Sequence, residues 1–139
     1  MTAPDDLRAL GEGFRILVDV GQRLSAAVGE ALVLRRTRFA ATPDEVERFL
    51  RAVLRAVRAV TEPQNKSDVT RWIGKFFKLD ERLADEFYRR LVPSLNPSGW
   101  VERDKVKLII DSAVERGLTD KPLDPDAVTD FSIVRQLKP

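Results

Sequence analysis

The chain has 139 residues, of which 43% are hydrophobic and 33% charged, a composition typical of one folded domain rather than of a disordered segment. Its 24 basic and 22 acidic residues leave a net charge of +2 at pH 7, so there is no basic surplus of the kind that nucleic-acid binders concentrate on one face. Cysteine and histidine are absent, which excludes disulfides, thiol catalysis and the commonest general base and metal ligand.

The N-terminal residues are polar and include Asp5, Asp6 and Glu12. A secretory signal would need a basic start and an apolar run of about 7–15 residues, and a membrane-spanning helix about 18 apolar residues. We therefore predict a flexible N-terminus over residues 1–12, one partial domain over residues 13–139, and no membrane insertion. With no signal peptide, the chain is expected to be cytoplasmic if it is expressed as written.

Two short strands are predicted in the first quarter of the chain. Residues 14–20 (FRILVDV) are largely apolar and β-branched and lie between Gly13 and Gly21. Residues 22–29 predict a loop or one helical turn, and residues 30–36 (EALVLRR) predict the second strand. Because two isolated strands are only marginally stable in water, this β element needs helices or further strands to cover it.

A long helix is predicted from residue 43, because Thr42-Pro43-Asp44-Glu45 is a capping box with proline at the first helical position. The apolar residues that follow keep helical spacing, and the arginines mostly lie off their stripe. The residues expected to face the core are Val46, Phe49, Leu50, Val53, Leu54, Val57 and Val60.

Two further helices are predicted after a break at residues 62–65. Ser67 can cap the first of them, and Asp80 can cap the second, which should end before Pro93. The residues expected to face inward are Val69, Trp72, Ile73, Phe76 and Phe77 in the first helix, and Leu83, Ala84, Phe87, Tyr88 and Leu91 in the second.

The last quarter of the chain predicts one more long helix. Residues 93–99 are turn-forming, and the helix should run from about Glu102 to Arg116 and be closed by Gly117. Beyond it, Asp124-Pro125 can start a short turn, and residues 131–134 (FSIV) predict an apolar plug. The residues expected to face inward are Val106, Ile109, Ile110 and Ala113.

The fold class expected from these elements is α+β, mainly α, with about four to five helices and a short two-stranded β element. Two groups of side chains could bind a ligand in it. One group, Arg35, Arg36 and Arg38, could grip phosphate or nucleic acid, although without a glycine-rich loop or interleaved aromatic residues such arginines are more often solvated. The other could line a pocket but at helical spacing is more often core; it consists of Trp72, Phe76, Phe77, Phe87 and Tyr88.

Carboxylates with helical spacing could hold Ca²⁺ or Mg²⁺, but arginines on the same helix favour surface ion pairs instead. A proline-containing loop also carries aspartates, without the spacing of an EF-hand. We find no serine-centred elbow, phosphate loop or dinucleotide fingerprint, and so predict no enzyme, no catalytic residue, no metal and no cofactor. The carboxylates are Asp80, Glu81, Asp85 and Glu86 on the helix and Asp120, Asp124, Asp126 and Asp130 in the loop.

The helices over residues 72–79 and 81–92 could form a helix-turn-helix that binds DNA. Their join at Leu79-Asp80 lacks the glycine often found in that turn, and Asp85 and Glu86 lie among the arginines of the second helix. We therefore predict no nucleic-acid partner.

Taken in order, several segments resemble the C-terminal part of the solute-binding proteins of nitrate, sulfonate and taurine type ABC importers, whose relatives include proteins of thiamine-pyrimidine synthesis. The resemblance covers nearly the whole chain from about residue 12. The matching segments are 13–19 (GFRILVD), 32–36 (LVLRR), 42–52 (TPDEVERFLRA), 79–80 (LD), 91–93 (LVP), Gly99, Val101, 110–111 (ID), 121–125 (KPLDP) and 128–132 (VTDFS).

This resemblance implies the C-terminal portion of a type II periplasmic-binding-protein fold, in which two α/β lobes close on a ligand. It implies a small-molecule solute and an ABC permease as partners, and a periplasmic or extracytoplasmic location. Most of both lobes would lie before residue 1, so no ligand-binding residue is assigned, and the loop over residues 21–29 is the nearest by position. The enzymes of the family use a histidine, which this chain lacks.

The function expected from the resemblance is the binding of small anions or pyrimidine-like compounds for import. The receptor would be either incomplete or completed by assembly with another polypeptide. With few strands, an unpaired edge should favour self-association or assembly with a complementing polypeptide. The alternative is a stand-alone cytoplasmic helical interaction module without ligand or catalysis.

Overall fold

The computed structural model describes residues 4–18 and 30–137. In this part of the chain the secondary structure is helical throughout, with eight α-helices and no strand. A 3₁₀ turn, Pro63–Asn65, joins the third helix to the fourth. The helices are α1 (Asp5–Gly11), α2 (Arg36–Ala41), α3 (Pro43–Thr61), α4 (Lys66–Phe77), α5 (Glu81–Ser94), α6 (Arg103–Glu115), α7 (Pro125–Val128) and α8 (Ser132–Gln136).

The predicted mainly α class is confirmed, whereas the predicted two-stranded element is wrong for the residues that the structure describes. Residues 14–18 and 30–35 have no regular secondary structure, and Arg36 begins α2 instead of ending a strand. A strand depends on backbone hydrogen bonds to a neighbouring strand, which composition alone does not supply. Residues 19 and 20 of the first predicted strand, and the loop over residues 21–29, lie outside the described residues.

The chain divides into two compact units. The first comprises Met1–Asp19 and Val53–Pro97, and the second comprises Val20–Ala52 and Ser98–Pro139. Residues 13–139, which we predicted to be one domain, therefore contribute to both units.

In the first unit, α4 packs against α5 across a small apolar core. Ile73 of α4 is completely buried, and it lies in one cluster with three buried residues of α5, Ala84, Phe87 and Tyr88. This confirms the inward face predicted for α5, whose first turn is capped by Asp80: the backbone N–H of Leu83 donates to its carboxylate at 2.8 Å.

A tight turn of three residues joins α4 to α5. Lys78 adopts the left-handed conformation, with φ of 53°, and the backbone N–H of Leu79 donates to the carbonyl of Gly74 at 2.9 Å. A Cβ at Gly74 would lie 3.3 Å from the carbonyl oxygen of Leu79, so glycine is the residue that fits this close approach. The turn brings α5 back along α4 and thereby forms the core.

Helix α1 also belongs to this core, although we predicted a flexible N-terminus. Its Leu7 is completely buried in the same cluster as Ile73. Two polar contacts hold α1 in place: the Arg8 guanidinium donates to the carbonyl of Phe77 at 2.7 Å, and Asp6 pairs with Arg90 of α5 at 3.2 Å. Leu10, one turn after Leu7, also packs against this core, but two leucines among charged residues are a short pattern, which is why the sequence does not indicate this helix.

The predicted long helix is confirmed as α3 and begins at Pro43 as predicted, but the contacts of Thr42 and Glu45 and the apolar stripe differ in detail. The Thr42 hydroxyl donates to the carbonyl of Arg38, and Glu45 pairs with the Arg38 side chain at 2.7 Å, so both residues contact the preceding helix. Leu54 is buried, whereas Phe49, which we expected to face the core, is 56% exposed.

The ends of the other helices differ slightly from the prediction. Helix α4 begins at Lys66, so Ser67 lies inside it and is not its cap. Helix α5 continues through Pro93 to Ser94, because a proline in the last turn removes only one backbone donor.

The second unit is built around α6, which packs against α7. Val106 and Ile110 are buried as predicted, while Ile109 is 39% exposed. Gly117, with φ of 66°, follows the end of α6 and donates its N–H to the carbonyl of Val114, so the predicted glycine closure is confirmed. Residues 131–134, predicted to be an apolar plug, overlap with α8, whose Val134 is buried.

An arginine connects α6 to the loop before α7. Arg103 pairs with Asp124 at 2.8 Å and with Asp126 at 3.1 Å, and the Asp124 carboxylate also accepts the backbone N–H of Asp126. Asp124 thus caps α7, as its position before Pro125 predicts. None of the helices in the described residues is long and apolar enough to cross a membrane.

Replacing the cap of α5 should destabilise the first unit. Asp80→Ala removes the acceptor for the Leu83 N–H, and loss of such a cap costs about 0.5–2 kcal/mol. The measurement is urea unfolding followed through Trp72 fluorescence in a Trp100→Phe background, so that the signal reports the first unit. The matched control, Glu81→Ala, should change the free energy of unfolding by less than about 0.5 kcal/mol; equal effects would contradict the cap.

Truncating Leu7 should show whether α1 is part of the core. Leu7→Ala leaves a cavity at a completely buried position, and such changes cost about 2–5 kcal/mol. Leu118→Ala, at a position that is 68% exposed, serves as control. The same urea titration measures both variants. Indistinguishable curves for Leu7→Ala and wild type would mean that α1 contributes nothing to the stability of the first unit.

Candidate functional site

The five aromatic residues considered as a pocket separate into a buried and an exposed group. Phe87 and Tyr88 are buried in the core of the first unit, and Phe77 is half-buried against it. Trp72 and Phe76 are 58% and 64% exposed, so our expectation that they face inward is wrong. Phe77 lies about 140° around α4 from Trp72, at about 100° per residue, so Phe77 packs against the core while Trp72 and Phe76 remain in solvent.

The aromatic rings nevertheless form one continuous series from the surface to the core. Trp72 stacks on Phe76 with ring centroids 5.0 Å apart, and Phe76 meets Phe77 edge-on at 4.8 Å. Phe77 in turn stacks on Phe87 at 4.9 Å. We call the exposed pair, Trp72 and Phe76, the aromatic face of α4. Because each ring is held by the next, this face presents a fixed apolar surface to solvent.

The side chains of Arg35, Arg36 and Arg38 do not form a shared binding site. The Arg36 guanidinium donates to the carbonyl of Ala127 at 3.0 Å, and Arg38 pairs with Glu45 at 2.7 Å. Arg35 precedes α2 and is exposed. Two of the three therefore already hold α2 to neighbouring segments of the second unit.

The carboxylates of α5 are engaged in ion pairs with neighbouring cations. Asp85 pairs with Lys66 at 2.7 Å and with Arg89 at 3.2 Å, and Glu86 pairs with Arg89 and Arg90. In the described part of the chain no three such residues lie close enough together to hold a metal ion. Arg89 and Arg90, which a DNA-recognition helix would need free for phosphates, are occupied by these carboxylates.

The pKa of the Asp85 carboxyl is shifted by neighbouring cations. The pKa of Asp85 lies below its ordinary value of 3.8, chiefly because Lys66 donates a hydrogen bond to the carboxylate; desolvation opposes this shift, and the charges of Lys66 and Arg89 reinforce it. Lys66 also lies 5.8 Å from the ring centre of Tyr88, whose hydroxyl donates to the carbonyl of Val60. This contact joins the start of α4 to α5 and to the end of α3.

In the second unit, two aspartates with lowered pKa values accept hydrogen bonds at the starts of helices, Asp124 as the cap of α7 and Asp130 just before α8. The pKa of Asp124 is lowered by the backbone N–H of Asp126 and then by Arg103. The pKa of Asp130 is lowered by the hydroxyl and the backbone N–H of Ser132, the first residue of α8. These groups are explained by local structure and do not converge on a substrate-sized cavity.

A shallow groove lies along α4 and the start of α5 and is lined by residues of both charges, among them Lys66, Arg71 and Asp80. Thr70, whose side-chain oxygen is buried without a hydrogen-bond partner in the described structure, borders it. The groove is open to solvent and presents no set of converging polar groups.

Exposed apolar side chains are concentrated in the described parts of the two segments predicted to be strands, one segment in each unit. Leu17 and Val33 are each 92% exposed, which is unusual for segments so rich in apolar residues. The exposed side chains are Phe14, Ile16, Leu17 and Val18 in the first segment and Leu32, Val33 and Leu34 in the second. We call these residues the two apolar segments.

Sequence reasoning missed the aromatic face of α4, since the same residues were assigned to the core. Neighbouring charged residues could have indicated that this face is exposed. Asp68, Arg71 and Lys75 lie together on one side of α4, next to the two rings. No known family, curated protein or solved structure matches this chain.

The ion pair between Lys66 and Asp85 gives a prediction for the pKa of Asp85. Lys66→Met removes the hydrogen bond that lowers this pKa, so the pKa should rise toward 3.8. Carboxyl-carbon NMR during a pH titration measures the change, with Arg71→Met as control because Arg71 pairs with Asp68.

The sign of the pH effect on stability follows from the same shift. A folded-state pKa below the unfolded value means that the pair stabilises the fold at pH values above about 3.9, and that this stabilisation is lost as pH falls through the folded pKa. The stability difference between wild type and Lys66→Met should therefore shrink in acid. A difference that grows with falling pH would contradict the pairing.

Proposed function

We propose that this chain is the helical portion of a solute-binding component of an ABC importer for small anions or pyrimidine-like compounds. In this proposal, the sheet and the ligand-contacting residues come from polypeptide outside these 139 residues. The observation that supports it best is the exposure of the two apolar segments. They have the composition of buried strands, yet their side chains lie in solvent.

The physical argument concerns what would cover these segments. Both are short and apolar; the first includes the β-branched residues Ile16 and Val18, and the second is followed by α2, a pattern typical of sheets whose faces are covered by helices. Burying one leucine, isoleucine, valine or phenylalanine side chain is worth about 1.5–3 kcal/mol. Pairing both segments with an added sheet would bury their side chains and satisfy their backbone groups together. A solvent-exposed loop has no such reason to be apolar.

The resemblance of the sequence to the solute-binding proteins supplies the identity of the proposed sheet. Its matching segments include both apolar segments, the start of α3 and the cap of α5. The proposed partners are accordingly a small-molecule solute, held once the pocket is complete, and the ABC permease that the loaded receptor would engage. The proposed location is periplasmic or extracytoplasmic. No ligand-binding residue is assigned, because the principal ligand-contacting residues of the proposed receptor would lie outside these 139 residues; the loop over residues 21–29, nearest by position, lies outside the described residues.

A second candidate function is a helical interaction module without a ligand. The aromatic face of α4 supports it, because two stacked and exposed rings are typical of a surface that contacts another protein. The two candidates involve different residues, since one depends on the two apolar segments and the other on α4. Substitutions can therefore separate them.

The proposal predicts that the two apolar segments drive association of the chain. Leu17→Ser combined with Val33→Ser should reduce light scattering and the fluorescence of a hydrophobic dye, because both side chains are 92% exposed in the isolated chain. The helix content by circular dichroism should not change. Leu118→Ser, at another exposed leucine, is the matched control and should change neither readout.

Binding of a solute is tested on a complex of this chain with a complementing polypeptide. The chain is co-expressed with the product of the reading frame adjacent to its gene, and nitrate, a sulfonate, taurine and a pyrimidine are screened by thermal shift. We expect a complex whose melting temperature rises with one of these solutes, by an amount equivalent to about 2.7 kcal/mol at a hundredfold excess over Kd. The Leu17→Ser/Val33→Ser variant should not form it. A monomeric chain that binds no dye and no complementing product would overturn the proposal.

A further inference from the structure

The aromatic face of α4 carries charges of both signs beside it. Asp68 lies one turn before Trp72, and Lys75 lies one turn after it; both are exposed. At about 100° per residue, Asp68 and Lys75 fall about 40° and 60° from Trp72 on the same side of the helix axis. Phe76 and the half-buried Val69 fall about 40° and 60° away on the opposite side.

Two copies of this face of α4 are complementary to each other in the positions of their charged and apolar residues. If a second α4 lies antiparallel to the first, with a two-fold axis passing beside Trp72, each residue faces the one at the mirrored distance along the helix. Asp68 lies about 6 Å before Trp72 and Lys75 about 4.5 Å after it, so each Asp68 faces the Lys75 of the other copy. On the opposite side, each Phe76 faces the other copy's Val69, and the two Trp72 rings meet at the axis.

We propose that α4 is a homodimer contact in which two copies of this chain pair antiparallel through Trp72. The ion pairs and the apolar contacts then lie on opposite sides of the central tryptophans. Trp72 is already held by its stacking on Phe76, so little side-chain freedom is lost on association. Asp68 is free to exchange partners, because its pair with Arg71 is 80% and 74% exposed and such pairs contribute little.

The charges favour a second copy over the other occupants of an aromatic face. An anionic membrane surface or an acidic helix would be attracted by Lys75 and Arg71 but would leave Asp68 facing a like charge. A second copy satisfies both charges at once. The contact is small compared with the roughly 800 Å² per partner of a standard interface, so the dimer should be weak and visible at high protein concentration.

Charge reversal with recombination tests the proposal on the full chain. Asp68→Lys alone and Lys75→Glu alone each place like charges together at both ends of the contact, and we expect each to weaken dimerisation at least tenfold by sedimentation equilibrium. An equimolar mixture of the two variants should recover dimers of wild-type affinity, because every Lys at position 68 then faces a Glu at position 75. Trp72→Ser should abolish the dimer.

Controls separate this contact from association through another surface. Lys105→Glu, an exposed charge reversal on α6, should leave dimerisation unchanged, and circular dichroism checks that every variant is folded. The series is repeated with Leu17→Ser/Val33→Ser, so that association through the two apolar segments does not contribute. Failure of the mixture to recover dimers, unchanged affinity in Trp72→Ser, or a monomer that instead binds anionic phosphatidylserine vesicles would overturn the proposal.

Discussion

The close packing of α4 on α5 is the interaction on which the first unit depends. It rests on a short turn in which Lys78 takes the left-handed conformation and Gly74 lets the carbonyl of Leu79 approach. Once α5 is turned back in this way, Ile73 is enclosed and α1 can add Leu7 to the same cluster. The same geometry leaves one side of α4 uncovered, so the packing that makes the core also creates the aromatic face.

A second constraint is that a strand needs a neighbouring strand. The two apolar segments have side chains suited to burial, but an extended backbone gains its hydrogen bonds only from a partner. In the described residues no such partner is present, and the side chains of Leu17 and Val33 remain in solvent. Helices do not share this dependence, because their hydrogen bonds are internal to the segment. A portion of an α/β protein would therefore keep its helices and lose its sheet.

Several charged side chains in both units pair with one another at the surface. Asp85 with Lys66, and Arg103 with Asp124, connect neighbouring elements, and their altered pKa values follow from those contacts. Such exposed pairs add little stability individually, but they fix which faces of the helices remain open. The exposed apolar surfaces of the described residues include the two apolar segments and the aromatic face of α4. They differ in kind, since one is extended chain and the other a helix face.

The sequence by itself determined the four long helices, α3 to α6, and several of their ends, because these depend on neighbours within a few residues. Asp80 as a cap, Gly117 after α6 and the inward face of α5 are of this kind. Tertiary structure alone decided which apolar residues are covered. Trp72 has the helical spacing of a core residue, and Leu7 lies in a short, largely polar segment, yet Trp72 is exposed and Leu7 is buried. Burial depends on what a distant part of the chain places opposite a side chain, and periodicity does not record that.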